Sequence, residues 1–187
     1  MKKQVFKLDL DDLEDNSEDL AYLFFHTTTP GYLFVDDINH LYRLALARLD
    51  DLHIDGQSWP LYSYHDILRQ LDYYLIERPL TPTRSQLSAP HWVPGHKIMI
   101  IKGERASEIA DFFCEDFSTP PSQPDACLPA DIERYDILTS YQQSFTPVTV
   151  YNFDAPIGTS KKLLKERAEL ENLFTTILDL LDLSGIE

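Results

Sequence analysis

Cysteine is nearly absent. Cys114 and Cys127 are the only two, they form no CxxC pair, and they are too few and too irregularly placed for a disulfide framework. The expectation is a reduced chain with Cys114 packed on a helix and Cys127 in a loop. Long hydrophobic runs are missing too: none approaches the roughly 18 apolar residues of a membrane span. The opening MKKQVFKLDLDDLEDNSEDL has two leading lysines but no apolar core, so it does not read as a signal peptide. A soluble, cytoplasmic chain is expected. GxxxxGK[ST], GxGxxG and GxSxG are all absent, which removes the sequence signal for a P-loop, a dinucleotide fold or a nucleophile elbow.

Basic charge is the last scarcity. Lys and Arg number 16 against 31 Asp and Glu, a formal net charge of −15. Such a chain repels nucleic-acid backbones and anionic lipid, so ordinary duplex DNA binding and membrane association are not expected. The imbalance is local as well. Between Lys7 and Arg43 there is no Lys or Arg, while Asp9, Asp11, Asp12, Glu14, Asp15, Glu18, Asp19, Asp36 and Asp37 all fall there. The plain reading is a solvated face; the sharper ones are a docking surface for a basic partner or a mimic of nucleic-acid charge.

What is present is globular. With 187 residues, 43% of them apolar and 12% aromatic, the chain suits a single domain over residues 1–187 with a sizeable core. Proline-rich stretches near 77–95 and 118–130 hold eight of the twelve prolines and read as extended loops. KLDL at 7–10 alternates like an edge strand. YLFF at 22–25 and YLFV at 32–35 flank TTTPG and predict a hairpin. The stripe Ile38, Leu41, Tyr42, Ala45, Leu49 and Leu52 predicts a helix capped by Asp36 or Asp37. WPLYSY at 59–64 reads as an irregular or edge strand, and 66–77 as a helix. A strand at 97–101 and a helix at 106–117 follow, then an ambiguous 131–144, a strand at 148–153 and a long helix at 160–183. The expected class is α+β: a mixed or antiparallel sheet with a hairpin, three to four packed helices and a long C-terminal helix.

The order KLDLDD, then INHLYRLALARLDDL, then WVPGHKIMIIKGE resembles the IPExxxVDY family of small bacterial proteins over about the first 117 residues. Val93-Pro94-Gly95 stands where that family has Ile-Pro-Glu, and no Val-Asp-Tyr follows. The resemblance brings no activity with it.

Several constellations could carry chemistry. His91 and His96 lie five apart around Pro94-Gly95, a spacing that excludes a helical pair, and no third ligand is near in sequence, so no metal and no cofactor are expected. Asp36-Asp37 after an apolar run could hold magnesium only with further carboxylates, and a helix cap accounts for the pair. His40 and His65 are the other acid–base candidates, with His65 and His96 favoured, while His26 and His53 sit at expected strand or loop ends. Adjacent His65 and Asp66 point apart and make no dyad by themselves. The junctions KGERAS and DAPIGTSKK offer helix N-termini with Lys102, Arg105, Lys161 and Lys162 as possible anion ligands. Lys161, Lys162, Lys165 and Arg167 crowd the start of the last helix, and Asp179 and Asp182 its end, against the helix dipole. Trp59, Tyr62, Tyr64, Tyr73 and Tyr74 fall within sixteen residues, as core or as an interaction surface centred on Trp59, Tyr62 and Tyr64. The leading expectation is a non-catalytic module that binds a protein partner. The alternatives are an enzyme acting on a small anionic, phosphorylated compound at the βα loops, and a nucleic-acid charge mimic.

Overall fold

A computed structural model describes residues 19–79, 97–121, 129–143, 148–151 and 161–183. In chain order these form β1 (Leu20–Phe25), α1 (Gly31–Tyr42), β2 (Ala47–Arg48), β3 (Leu52–Ile54), β4 (Gln57–Trp59), β5 (Leu61–Asp66), β6 (Leu71–Glu77), β7 (Lys97–Gly103), α2 (Ala106–Ser118), α3 (Pro129–Gln143), β8 (Val148–Tyr151) and α4 (Lys161–Leu183). The KLDL strand, His91, His96, Cys127 and the loop before α4 lie outside the described residues.

Six strands make one antiparallel sheet in the order β2-β5-β6-β7-β1-β8, and β3 with β4 makes a separate hairpin. The fold is α+β. Strand side chains alternate between faces, and here both faces are covered. Leu23 and Phe25 of β1, Met99 and Ile101 of β7, and Tyr73 and Leu75 of β6 join Phe34, Ile38, Phe113, Leu138 and Tyr141 from α1, α2 and α3. Tyr22, Phe24, Ile98, Ile100, Tyr74 and Ile76 point the other way, into a core with Trp59, Leu170, Phe174, Ile177 and Leu181. Double coverage explains why LAYLFF and IMII carry unbroken apolar runs.

The long last helix lies against the sheet, as its apolar spacing predicts. Phe174 is buried, its ring centroid 4.2 Å from that of Tyr22 and edge-on to Phe24 at 5.8 Å. Lys165–Glu169 and Arg167–Glu171 pair along its surface and neutralise part of the misplaced charge at its start.

Four local expectations are overturned. TTTPG does not turn a hairpin: helix α1 begins at Gly31, with Pro30 as N-cap and Phe34 N–H donating to Pro30 O at 3.0 Å. Phe34, Val35, Ile38 and Leu41 form its buried face, so the apolar stripe starts a turn earlier than Asp36-Asp37 suggested. Neither aspartate caps it. Asp36 is exposed, and Asp37 accepts a hydrogen bond from Tyr141 Oη at 2.5 Å. The helix stops at Tyr42, and Leu49 and Leu52 fall beyond it, Leu52 in β3. Residues 66–77 are not a helix either. Asp66 Oδ1 accepts the N–H groups of Leu68 and Arg69 at 3.1 Å each, closing a turn that ends on Gln70 in the left-handed region (φ 53) and leads into β6. Gly103 (φ 125) lies against that turn, where a Cβ would overlap Gln70 O.

Candidate docking groove

The chain leaves α1 through Arg43, whose φ of 53 and ψ of 40 place a non-glycine residue in the left-handed region. Asn39 then clamps the following segment: its Nδ2 donates to Leu46 O at 3.1 Å, and its Oδ1 accepts from Leu46 N–H at 2.9 Å. That two-point clamp draws Leu44 and Leu46 into the core and leaves Arg43 outside.

The last turn of α1 also needs partners for its free carbonyls. Arg134 of α3 supplies one, donating from Nη1 to Leu41 O at 2.9 Å. Its Nη2 reaches Asp116 Oδ2 of α2 at 2.5 Å, and its guanidinium lies 5.7 Å from the Tyr42 ring centroid. Tyr42 stacks on Phe113 at 3.9 Å and meets Phe112 edge-on at 6.0 Å. Burial first, and Asp116 second, push the Tyr42 hydroxyl far above the ordinary tyrosine range, so it stays protonated. Gln142 donates to Thr119 O at 2.5 Å, and His40 pairs with Glu133 at 3.3 Å. Polar clamps thus carry much of the docking of α3, which buries only Leu138 and Tyr141 among its described side chains.

These contacts leave a groove of two arms. One, of about 490 Å³, runs between α1 and α3 past Asn39, His40, Leu44, Glu133 and Ile137. The other, of about 300 Å³, runs toward α2 and the β5–β6 turn past Arg69, Tyr73, Ile109 and Phe112. Leu41, Arg43, Leu44 and Arg134 line both, so two arginines stand at the junction and a third, Arg69, at the far end. Three of the eight arginines of this acidic chain meet there. Arg134 is tied to Asp116 and Arg69 to Asp66 at 3.3 Å. Among the described residues Arg43 is paired with no carboxylate. Beside the second arm, Phe112 is 49% exposed, and the hairpin tip bares Ile67 at 76% and Leu68 at 96%. Cations over an apolar floor with an apolar rim can hold a ligand that carries both negative charge and hydrocarbon.

The residues singled out in the sequence lie elsewhere. Arg105, left-handed at the N-cap of α2, donates to Glu108 Oε2 through Nε at 2.8 Å and Nη2 at 2.6 Å, so its charge is matched on its own helix. It heads a helix on one face of the sheet, whereas exposed Lys161 heads α4 on the other. The ladder does bring two together. His65 pairs across strands with Asp72, Nδ1 to Oδ1 at 2.5 Å, and Asp72 is in register with Lys102 on β7. Trp59 (1% exposed) and Tyr62 (8%) belong to the core and offer no surface, and half-buried Tyr64 stacks on Tyr73 at 6.2 Å. Both faces of the sheet are occupied, which leaves these aromatics inside. Arg43, Arg69 and Arg134 carried no sequence signal, being 26 and 65 residues apart in the chain. Among the described residues no three His, Cys, Asp or Glu side chains gather as a metal set, and no helix is long and apolar enough to cross a membrane.

Comparison with protein-family models, with curated proteins and with solved structures finds no match for this chain.

Proposed function

We propose that this protein is a non-catalytic interaction module of the cytoplasm whose groove docks an acidic, apolar-bearing segment of a protein partner. Convergence of Arg43, Arg69 and Arg134 over an apolar floor, in a chain of net charge −15, is the observation that carries the reading. Long-range repulsion does not oppose it strongly, because exposed charges beyond about 8 Å are screened at physiological salt while contacts inside the groove are not. Kinship with the IPExxxVDY family is part of the same proposal and adds no activity to it.

The test is an anisotropy titration of a labelled peptide alternating Asp and Leu, carried to millimolar protein. Arg43→Glu is expected to weaken binding at least tenfold. Equal binding by both chains would sink the proposal.

A second reading, an enzyme acting on a small phosphorylated compound, is supported by the row His65, Asp72, Lys102, in which a carboxylate stands between an imidazole and a cation. Hydrolysis of a phosphate ester that disappears in His65→Gln would favour it. The charge-mimic reading loses support at Asp37, whose carboxylate is engaged by Tyr141.

A further inference from the structure

We propose that the groove's partner is a second copy of this chain, docked about a two-fold axis so that Arg43 of each copy meets Asp111 of the other; this rests on the docking reading above. Three observations converge on it.

The first is a pair of unmatched opposite charges. Arg43 is exposed where the two arms meet and has no carboxylate among the described residues. Asp111 is exposed on the outer face of α2 and has no cation among them. Other acids of that helix are satisfied, Glu108 by Arg105 and Asp116 by Arg134. Each chain thus offers one cation and one carboxylate that still call for a partner.

The second is where the two stand. Tyr42, directly before Arg43, meets Phe112, directly after Asp111, edge-on with ring centroids 6.0 Å apart. Arg43 and Asp111 therefore flank one aromatic contact beside the second arm. A two-fold interface is self-complementary: where one residue faces another across it, the reverse contact forms as well. An axis over the Tyr42–Phe112 contact sets Arg43 against the second copy's Asp111, and Asp111 against the second copy's Arg43. One geometry makes two ion pairs.

The third is the apolar surface beside that axis. Phe112 lines the second arm and is exposed, as are Ile67 and Leu68 next to Arg69 at its far end. Those two are the most exposed large apolar side chains among the described residues. Covering such a cluster releases it from water, the usual driving force of association. The outer face of α2 also has the chemistry that the groove is read to dock. Glu108, Asp111, Phe112 and Glu115 share it at helical spacing, acidic with one aromatic anchor.

Sedimentation of the full chain from micromolar to near-millimolar concentration, at physiological salt, tests the contact. Its mass is expected to rise from that of one chain to that of two. Arg43→Glu and Asp111→Arg should each weaken the dimer at least tenfold, because each change sets like charges together twice. Net charge alone predicts otherwise for Asp111→Arg, which makes each chain less negative and would favour association. A chain carrying both changes should dimerise within about threefold of the original, since the two ion pairs form again with their signs exchanged. A chain that stays monomeric throughout, a dimer indifferent to either single change, or growth beyond two chains overturns the inference. So does a double variant as weak as the single ones.

The labelled peptide alternating Asp and Leu separates this inference from the reading beneath it. It should dissolve the dimer, because both ligands need Arg43. Peptide binding that falls with Arg43→Glu, in a chain that sediments as a monomer, would overturn the second copy and leave the docking groove standing. Binding indifferent to Arg43→Glu, again in a monomer, would remove the groove as well.

Discussion

Helix α1 has charge at both ends, and the two ends use it oppositely. At its start, Glu77 of β6 sets a carboxylate against Gly31, where a Cβ would overlap Glu77 Oε2. Glu77 holds Lys97 Nζ at 3.0 Å, and that ammonium, on a side chain only 2% exposed, lies 5.7 Å from the Phe34 ring centroid. The first turn of α1 has no acidic residue of its own, so a strand distant in sequence supplies the negative charge its dipole favours. The two charges there match each other, and the ammonium is withdrawn from water. At the other end Arg43 and Arg134 stand over an open groove, one tied to Asp116 and one with no carboxylate among the described residues. The closed end belongs to the fold. The open end holds, in Arg43, a charge that no carboxylate among the described residues meets.

The largest effect should therefore come from the closed end. Glu77→Ala leaves Lys97 buried and uncompensated, and removing one partner of such a pair costs about 3–5 kcal/mol, toward the lower figure because Glu77 is 25% exposed. Lys97→Met in the same chain should restore much of the loss, since the bare charge and not the missing contact is the main penalty. Urea unfolding of both single variants and the double variant measures the coupling. Additive losses would show that the pair is already well hydrated.

Removing Arg134 should cost less. Arg134→Met deletes the bond to Leu41 O and the ion pair with Asp116, but its side chain is 35% exposed, so solvent replaces part of both. About 1–2 kcal/mol is expected, with α3 loosened first. Hydrogen exchange should rise across 129–143 before the sheet is affected. Uniform exchange across α1, α2 and α3 would contradict a clamp specific to α3.

How much of this was legible depended on what holds each element. Helices α2 and α4 bury regular apolar faces, and β7 is an apolar run closed by Gly103, so their periodicity was readable. Helix α1 was readable as a helix but not in its bounds, because Pro30-Gly31 serves as a helix start where the pair usually marks a turn. Strand β6 packs Tyr73 and Leu75 on one face and Tyr74 and Ile76 on the other. Such a segment loses the two-residue alternation and imitates a buried helix. Helix α3 depends on Arg134, Gln142 and the Tyr141–Asp37 bond, and polar clamps leave no hydrophobic period to find. The groove inherits that limit, since its three arginines meet only once α3 and the Asp66 turn are in place.

The two ends should also respond to alkali. Burial, then hydrogen bonding to Asp37, raises the Tyr141 hydroxyl well above its ordinary 10.0, as burial and Asp116 do for Tyr42. An unfolded chain would lose both protons near pH 10 while the folded chain keeps them. The stability they contribute is complete below pH 10 and declines as pH rises past it. The urea midpoint should fall between pH 9 and pH 11. A midpoint that holds through pH 11 would mean that water reaches both hydroxyls.

The smallest effect has the opposite sign. Arg43 occupies the left-handed position that ends α1, where an L side chain costs about 1–2 kcal/mol and where glycine is the usual residue. Glycine would relieve that strain but give back roughly 0.5–1 kcal/mol through the freedom it adds to the unfolded chain. Arg43→Gly should thus stabilise the protein by about 0.5–1 kcal/mol, seen as a higher urea midpoint at constant slope. The same change removes the guanidinium at the junction of the two arms, so binding of the acidic peptide should fall at least tenfold. If Arg43→Gly instead lowers the midpoint, the guanidinium is part of the fold, and the difference between the two ends of α1 disappears.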